Sequence, residues 1–256
     1  MARQSSLIYQ VTVGNFPGFY NDCTASVARY CDRFGYAHIV QTEPKLKISP
    51  LASQRSANAN RLGYLPIMEK SNGFGYFNQF DKILILDADI YVRDSAPDIF
   101  AESDTDFAGV IEREMPLTGE YFTKIRKYSE GMYRSLDDVD WCWDSNGAEF
   151  FNMGVMLMDK GITEHLNGET PEQFIRRPEF ERFVNGEGHW RWSTDQTLLN
   201  WWVKKSGMTV KHLDWRWNAL YGGVRDVTKA YFVHFFLSAK MPKGGAEIPD
   251  IIKGLQ

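Results

Sequence analysis

Two aspartates two positions apart, Asp87 and Asp89, directly follow the unbroken apolar run Ile83-Leu84-Ile85-Leu86. In extended backbone, residues two apart share a face at a spacing of about 6.6 Å, so both carboxylates can converge on one hard cation. Neighbouring like charges of this kind interact by about 4 kcal/mol at an effective dielectric near 20, and a divalent ion relieves that repulsion while drawing in a diphosphate. His234, after the apolar Tyr231-Phe232-Val233, offers a neutral imidazole to such a site, and Lys240 offers an ammonium for phosphate oxygens. Each feature has a plainer alternative: aspartates favour caps and turns, and a histidine in an apolar strand is often packed in the core. Phosphatases also carry Asp-x-Asp after a strand, but with Thr or Val at the fifth position, where this chain has Tyr91.

The elements that would position these groups read as an α/β protein. Leu7 to Val13, Ala37 to Thr42, Lys82 to Leu86, Phe107 to Ile111, Val155 to Met158 and Tyr231 to Phe236 have the composition of strands. Asn21 to Phe34, Asn58 to Glu69 (bent at Pro66) and Thr194 to Lys205 have helical spacing, and Ser71 to Gln79 is a Gly- and Asn-bearing loop. Lys82 to Leu86, apolar without alternation, predicts a strand covered on both faces at the centre of a mostly parallel sheet. Alternating strands and helices predict an α/β/α sandwich, and the carboxyl end of a central strand is where such sheets place ligands. Residues 1–256 read as a single domain, with 112–150 as a lid or acceptor-side excursion and 241–256 as a C-terminal tail.

Composition narrows the function classes. Hydrophobic residues at 43% and charged residues at 24% suit a globular chain, and a net charge of −4 gives no basic surface for nucleic acid. The three cysteines form no disulfide framework, and Cys23 and Cys31, about 12 Å apart along one predicted helix, are expected to be free thiols. No stretch approaches about 18 apolar residues, so no transmembrane segment is expected and the cytoplasm is the expected location. Trp141, Trp143, Trp190 and Trp192 either stack on an acceptor saccharide or belong to the core. Neither a phosphate-loop nor a His-Glu-x-x-His pattern is present.

Four islands in order carry a family resemblance: Phe80-Asp81-Lys82-Ile83-Leu84-Ile85-Leu86-Asp87-Ala88-Asp89-Ile90-Tyr91-Val92; Phe151-Asn152-Met153-Gly154 with the following Val155-Met156-Leu157-Met158; Thr194-Asp195-Gln196-Thr197-Leu198-Leu199-Asn200; and His234 with Lys240. The chain resembles the glycogenin and lipopolysaccharide galactosyltransferase family. That resemblance implies a GT-A (Rossmann-like) fold, a UDP-sugar donor, Mn²⁺ or Mg²⁺ on the diphosphate, and a saccharide or glycoprotein acceptor. It implies Asp87, Asp89 and His234 as metal ligands, and Asp195, Gln196 and Asn152 as catalytic residues beside the sugar. Val13, Asn15, Arg61, Asp87, Ala88, Gly154 and Lys240 would surround the donor. Asn152 and Gly154 are equally readable as a loop and turn before a strand, and Asp195 as the acidic start of a helix capped by Ser193 or Thr194.

The chain also departs from the family pattern. Val13-Gly14-Asn15 stands where relatives carry an Asp-bearing turn, and Phe235-Phe236-Leu237-Ser238-Ala239 where they carry a glycine turn. The resemblance implies transfer with retention of the anomeric configuration. Two alternatives remain open at this level: a sugar nucleotidyltransferase, though no basic residue lies in Gly14-Asn15-Phe16-Pro17-Gly18, and a non-catalytic saccharide-binding module on the same fold. Donor sugar, linkage and oligomeric state depend on loop shapes that periodicity does not reach.

Overall fold

A computed structural model describes residues 5–14, 16–49, 61–192, 195–238 and 241–256. Its main sheet has six strands: β1 (Ser6–Val11), β2 (Ala37–Gln41), β3 (Lys82–Leu86), β5 (Phe107–Ile111), β6 (Phe151–Asp159) and β7 (Val210–His212). They lie in the order β2-β1-β3-β6-β5-β7, and only β6 runs against the others, so the sheet is mostly parallel as expected. β3 lies between β1 and β6, and Ile83, Leu84, Ile85 and Leu86 are all at most 1% exposed, which is why the run lacks alternation. Each such side chain contributes roughly 1.5–3 kcal/mol by leaving water.

Six α-helices are described: α1 (Phe19–Phe34), α2 (Gly119–Tyr133), α3 (Pro171–Ile175), α4 (Glu181–Asn185), α5 (Asp195–Ser206) and α6 (Ile248–Leu255). α1 ends on Gly35 in the left-handed conformation, whose N–H closes on the Cys31 carbonyl. Cys23 and Cys31 are buried free thiols inside α1, and burial, the largest influence, pushes the Cys31 thiol up to about 12. Among the described residues no helix is long and apolar enough to cross a membrane.

Several segments differ from the sequence reading. Ser71 to Gln79 is not a loop: Pro66–Asn78 is one run of 3₁₀ turns, with Gly73 so close to β3 that a Cβ there would stand 2.6 Å from the Ile85 Cδ1. Gly73 serves close approach to the sheet, while the Asn72 amide donates to Gln41 Oε1 and Glu69 Oε2. Residues 112–150 contain α2, capped by the Thr118 hydroxyl on the Tyr121 N–H. The 241–256 segment is not a plain tail either, since α6 buries Ile248, Ile252 and Leu255. The excursion is fastened by Arg113, which donates to the carbonyls of Cys142 and Gly147 and pairs with Asp144 and Glu149.

A second, three-stranded sheet has the order β4-β9-β8, built from β4 (Ile90–Val92), β8 (Ala219–Leu220) and β9 (Phe232–His234). β4 pairs antiparallel with β9, so that Ile90 faces His234, while Leu220 of β8 faces the same histidine from the other side. This small sheet begins where β3 ends, and its register carries His234 back to the aspartate pair.

Candidate active site

The Asp87-Ala88-Asp89 segment is a tight turn, not the extended chain that the spacing suggests: the Ile90 N–H reaches the Asp87 carbonyl at 3.2 Å. The turn is braced from the neighbouring strands by the Asp87 N–H on the Gly154 carbonyl (2.9 Å) and by Gln10 Nε2 on the Asp87 carbonyl (3.3 Å). The two carboxylates converge nonetheless, because β9 supplies a partner: His234 Nε2 lies 3.2 Å from Asp89 Oδ1 and 3.8 Å from Asp87 Oδ2. His234 is 3% exposed, so it is both a core residue and a site residue. Burial acts against the charged imidazole, but the Asp89 charge and hydrogen bond outweigh it and lift His234 above its ordinary value. For Asp89, burial pushes upward, and the charge of His234 prevails to hold the carboxyl below its usual range.

Lys70 is the cation of the site. It is 5% exposed, and its ammonium lies 2.8 Å from Asp87 Oδ1, 2.7 Å from Asp195 Oδ2 and 3.0 Å from the Met153 carbonyl. Burial works against its charge, and the two carboxylates, Asp195 first, reverse that and raise its pKa. The ammonium thus ties the end of β3 to the start of α5. α5 is held in place by Asn200, whose side-chain amide accepts from the Phe151 N–H (2.7 Å) and donates to the Phe151 carbonyl (2.8 Å), as a neighbouring strand would. Gln196, next to Asp195, accepts from the Met153 N–H at 3.3 Å.

Behind these groups lies a buried polar cluster. Asn152 Oδ1 accepts from the Gly154 N–H (3.0 Å) and from Asn218 Nδ2 (2.9 Å), while Asn152 Nδ2 reaches Glu112 Oε2 at 3.2 Å. Glu112 also accepts from the Tyr121 hydroxyl at 2.8 Å and faces Gln196 Nε2 at 3.5 Å. Burial raises the Glu112 pKa, and the donors around it pull the other way. Asn218 Oδ1 faces His234 Nδ1 at 2.9 Å. Gly154 has a steric duty here: a Cβ would stand 2.5 Å from His234 Cε1, so any side chain would displace the ring.

Most of the expected residues meet. Asp87, Asp89, His234, Asn152, Gly154, Asp195 and Gln196 form one continuous neighbourhood, with Asp195 opening α5 as its helix-start reading requires. Val13 and Ala88 line a cavity of about 250 Å³ with Phe16, Tyr20, Lys70 and both aspartates. Arg61 is exposed and lies outside that lining; the cation reaching the carboxylates is Lys70, nine residues on. Asn15, Lys240, Ser193 and Thr194 lie outside the described residues. Trp141 is in the core with its N–H on the Leu136 carbonyl, Trp143 lies under Arg134, and Trp190 donates to the Met132 carbonyl. The sequence reading missed Lys70, Glu112 and Asn218. A charged residue at the junction between the expected helix ending at Glu69 and the Gly-bearing loop starting at Ser71 was the only signal for Lys70; the other two look like ordinary loop residues.

The donor set fits a divalent cation. One ligand atom from each of Asp87, Asp89 and His234 lies within 4.8 Å of the others, and two carboxylates with one imidazole suit Mn²⁺ or Mg²⁺. Lys70 occupies Asp87 Oδ1 and leaves Oδ2, the atom turned toward His234. The glycine gap at 154 gives the imidazole its place.

No protein-family model and no curated protein matches the sequence. Among solved structures, a glycosyltransferase involved in the glycosylation of the major capsid of PBCV-1 superposes with a TM-score of 0.51 at 15% identity, covering 97% of this chain and 99% of that one. Mouse xyloside xylosyltransferase 1 in its apo form gives 0.45 at 13% identity over 93% and 99%, a score below the level at which a shared fold follows. The first match establishes the fold, the GT-A form of the α/β/α sandwich that the sequence resemblance implied.

Proposed function

We propose that this chain is a metal-dependent glycosyltransferase, akin to the glycogenin and lipopolysaccharide galactosyltransferase group, that moves a sugar from a nucleotide diphosphate donor, a UDP-sugar, to a saccharide or protein acceptor with retention of configuration. The observation that carries the proposal is the meeting of Asp87, Asp89 and His234 at the carboxyl end of β3, beside a cavity and next to the Lys70–Asp195 pair. The GT-A fold supports it, as does a solved neighbour whose own name states a glycosyltransferase.

Glycosyl transfer runs through an oxocarbenium-like state, so the site must take up charge on the departing diphosphate and keep the sugar oriented and dry. Mn²⁺ or Mg²⁺ on Asp87, Asp89 and His234 supplies Lewis-acid stabilisation of the diphosphate. Lys70 holds the Asp195 carboxylate in place, ready to accept hydrogen bonds from sugar hydroxyls. Gln196, aligned by the Met153 N–H, presents its amide beside the sugar, and Asn152 and Gly154 form the floor below it. Lys240 adds a charge for the phosphates. Val13 and Ala88, which line the cavity, would meet the donor, and the family resemblance assigns Asn15 and Arg61 to the same donor.

The test is a nucleotide-sugar panel assayed for release of free nucleoside diphosphate with and without Mn²⁺. UDP release that requires the metal is expected, and Asp89→Asn should lower it by about 10²–10³-fold. Undiminished turnover in that variant would overturn the metal role, and donor binding without any turnover would point to a saccharide-binding module.

A further inference from the structure

His234 has two ring nitrogens, and only a bare one can hold a cation. Nε2 faces Asp89 and Asp87; Nδ1 faces Asn218. Which nitrogen carries the hydrogen is decided by a line of buried groups. The Gly154 backbone N–H can only donate, and it points at Asn152 Oδ1. That pins the oxygen end of the Asn152 amide and leaves its Nδ2 to face Glu112, a group that accepts from the Tyr121 hydroxyl as well. The same Asn152 oxygen takes Nδ2 of Asn218, so the atom Asn218 turns to the imidazole is its oxygen. An amide oxygen accepts and never donates, and Nδ1 is therefore the protonated nitrogen.

The line is determined from both ends. Turning the Asn152 amide over would set its NH₂ against the Gly154 N–H and its oxygen against the Glu112 carboxylate. Turning Asn218 over would set oxygen against oxygen at Asn152. Glu112, Asn152, Asn218 and His234 are all at most 6% exposed, so water offers no substitute partner, and each misdirected buried amide costs roughly 1–3 kcal/mol. The order of donors and acceptors holds irrespective of the charge on the ring, since both the neutral Nδ1–H form and the imidazolium carry a hydrogen on Nδ1.

We infer that Asn218 is a positioning residue of the cation site: held by Asn152, Glu112 and the Gly154 N–H, it fixes hydrogen on His234 Nδ1 and so directs the Nε2 lone pair at the two aspartates. The inference rests on the cation reading proposed above. Without Asn218, the favoured place for the ring hydrogen becomes Nε2, where Asp89 accepts it and a cation must displace it. Outer partners of metal-ligating histidines typically change metal affinity by about 10–100-fold when removed.

Two measurements on the full chain test this, neither requiring a donor. In metal-free protein with ¹⁵N-labelled histidine, NMR should show hydrogen on His234 Nδ1. Mn²⁺ affinity, read from the electron paramagnetic resonance of the free ion, should fall about 10–100-fold in Asn218→Leu. Asn218→Asp, which keeps an oxygen toward Nδ1 but turns its second oxygen on Asn152 Oδ1, should retain the Nδ1 hydrogen at a cost in stability; the spectra of this variant and of the parent decide the matter if the leucine variant does not fold. A bare Nδ1 in a parent protein that binds Mn²⁺ overturns this inference alone, as does unchanged affinity in a folded Asn218→Leu. A parent that carries the Nδ1 hydrogen but binds no Mn²⁺ overturns the cation reading itself, and the role of Asn218 with it.

Discussion

Among the described residues two clusters bring two carboxylates and an imidazole within ligand distance: Asp87, Asp89 and His234 at the end of β3, and Glu114, Glu149 and His212 at the outer, β7 edge of the sheet. Their surroundings separate them. In the first, His234 is buried against a glycine that makes room for its ring, and its second nitrogen is satisfied by Asn218. In the second, His212 and Glu114 are exposed and stand 4.0 Å apart, and Glu149 is already neutralised by Lys204 at 3.1 Å and Arg113 at 3.5 Å. Closeness of ligating atoms is therefore a weak criterion. What distinguishes the first cluster is that its histidine is buried, given room by Gly154 and held at its second nitrogen by Asn218.

The contrast can be broken or sharpened by substitution. Asp89→Asn should lower metal-dependent donor cleavage by about 10²–10³-fold with an unchanged circular dichroism spectrum, since a site-directed electrostatic partner is lost. Lys70→Met should destabilise the fold by about 3–5 kcal/mol in urea unfolding, because the buried Asp195 and the partly buried Asp87 would both lose the ammonium they share. An unfolding midpoint equal to that of the parent would show that the two acids are already paired by something else. Gly154→Ala should cost about 1–3 kcal/mol by overpacking and should weaken Mn²⁺ binding, measured calorimetrically, by pushing the imidazole aside. At the outer cluster, Glu149→Gln should leave Mn²⁺ binding unaltered and shift stability by about 1 kcal/mol or less. Loss of Mn²⁺ binding there would move the cation to the β7 edge of the sheet and erase the distinction.

Sequence reading succeeded where one short segment carried the whole signal. The apolar run of β3 and the acidic start of α5 at Asp195 each read correctly, since period, burial and helix-start chemistry are local properties, whereas Asn152 and Gly154, readable as a loop and turn before a strand at Val155, lie inside β6. It failed where a local pattern had two physical causes. Glycines and asparagines at 71–79 resembled a loop and turned out to be a 3₁₀ run pressed against β3, because glycine serves close packing as well as turning. The Asp87-Ala88-Asp89 spacing suggested extended backbone, yet the carboxylates converge from a turn.

By itself, the sequence determined a buried central strand ending in two acids, a mixed α/β architecture and the set of polar residues from which a site could be assembled. Only the tertiary structure decided which of these meet. The pairing of Ile90 with His234 brings the imidazole to the aspartates, the 3₁₀ run delivers Lys70 between Asp87 and Asp195, and Asn218 and Glu112 fall in behind His234 and Gln196. Those encounters join residues far apart along the chain. Strand register and the close approach of backbones govern them, and neither leaves a periodic mark on the amino acids involved.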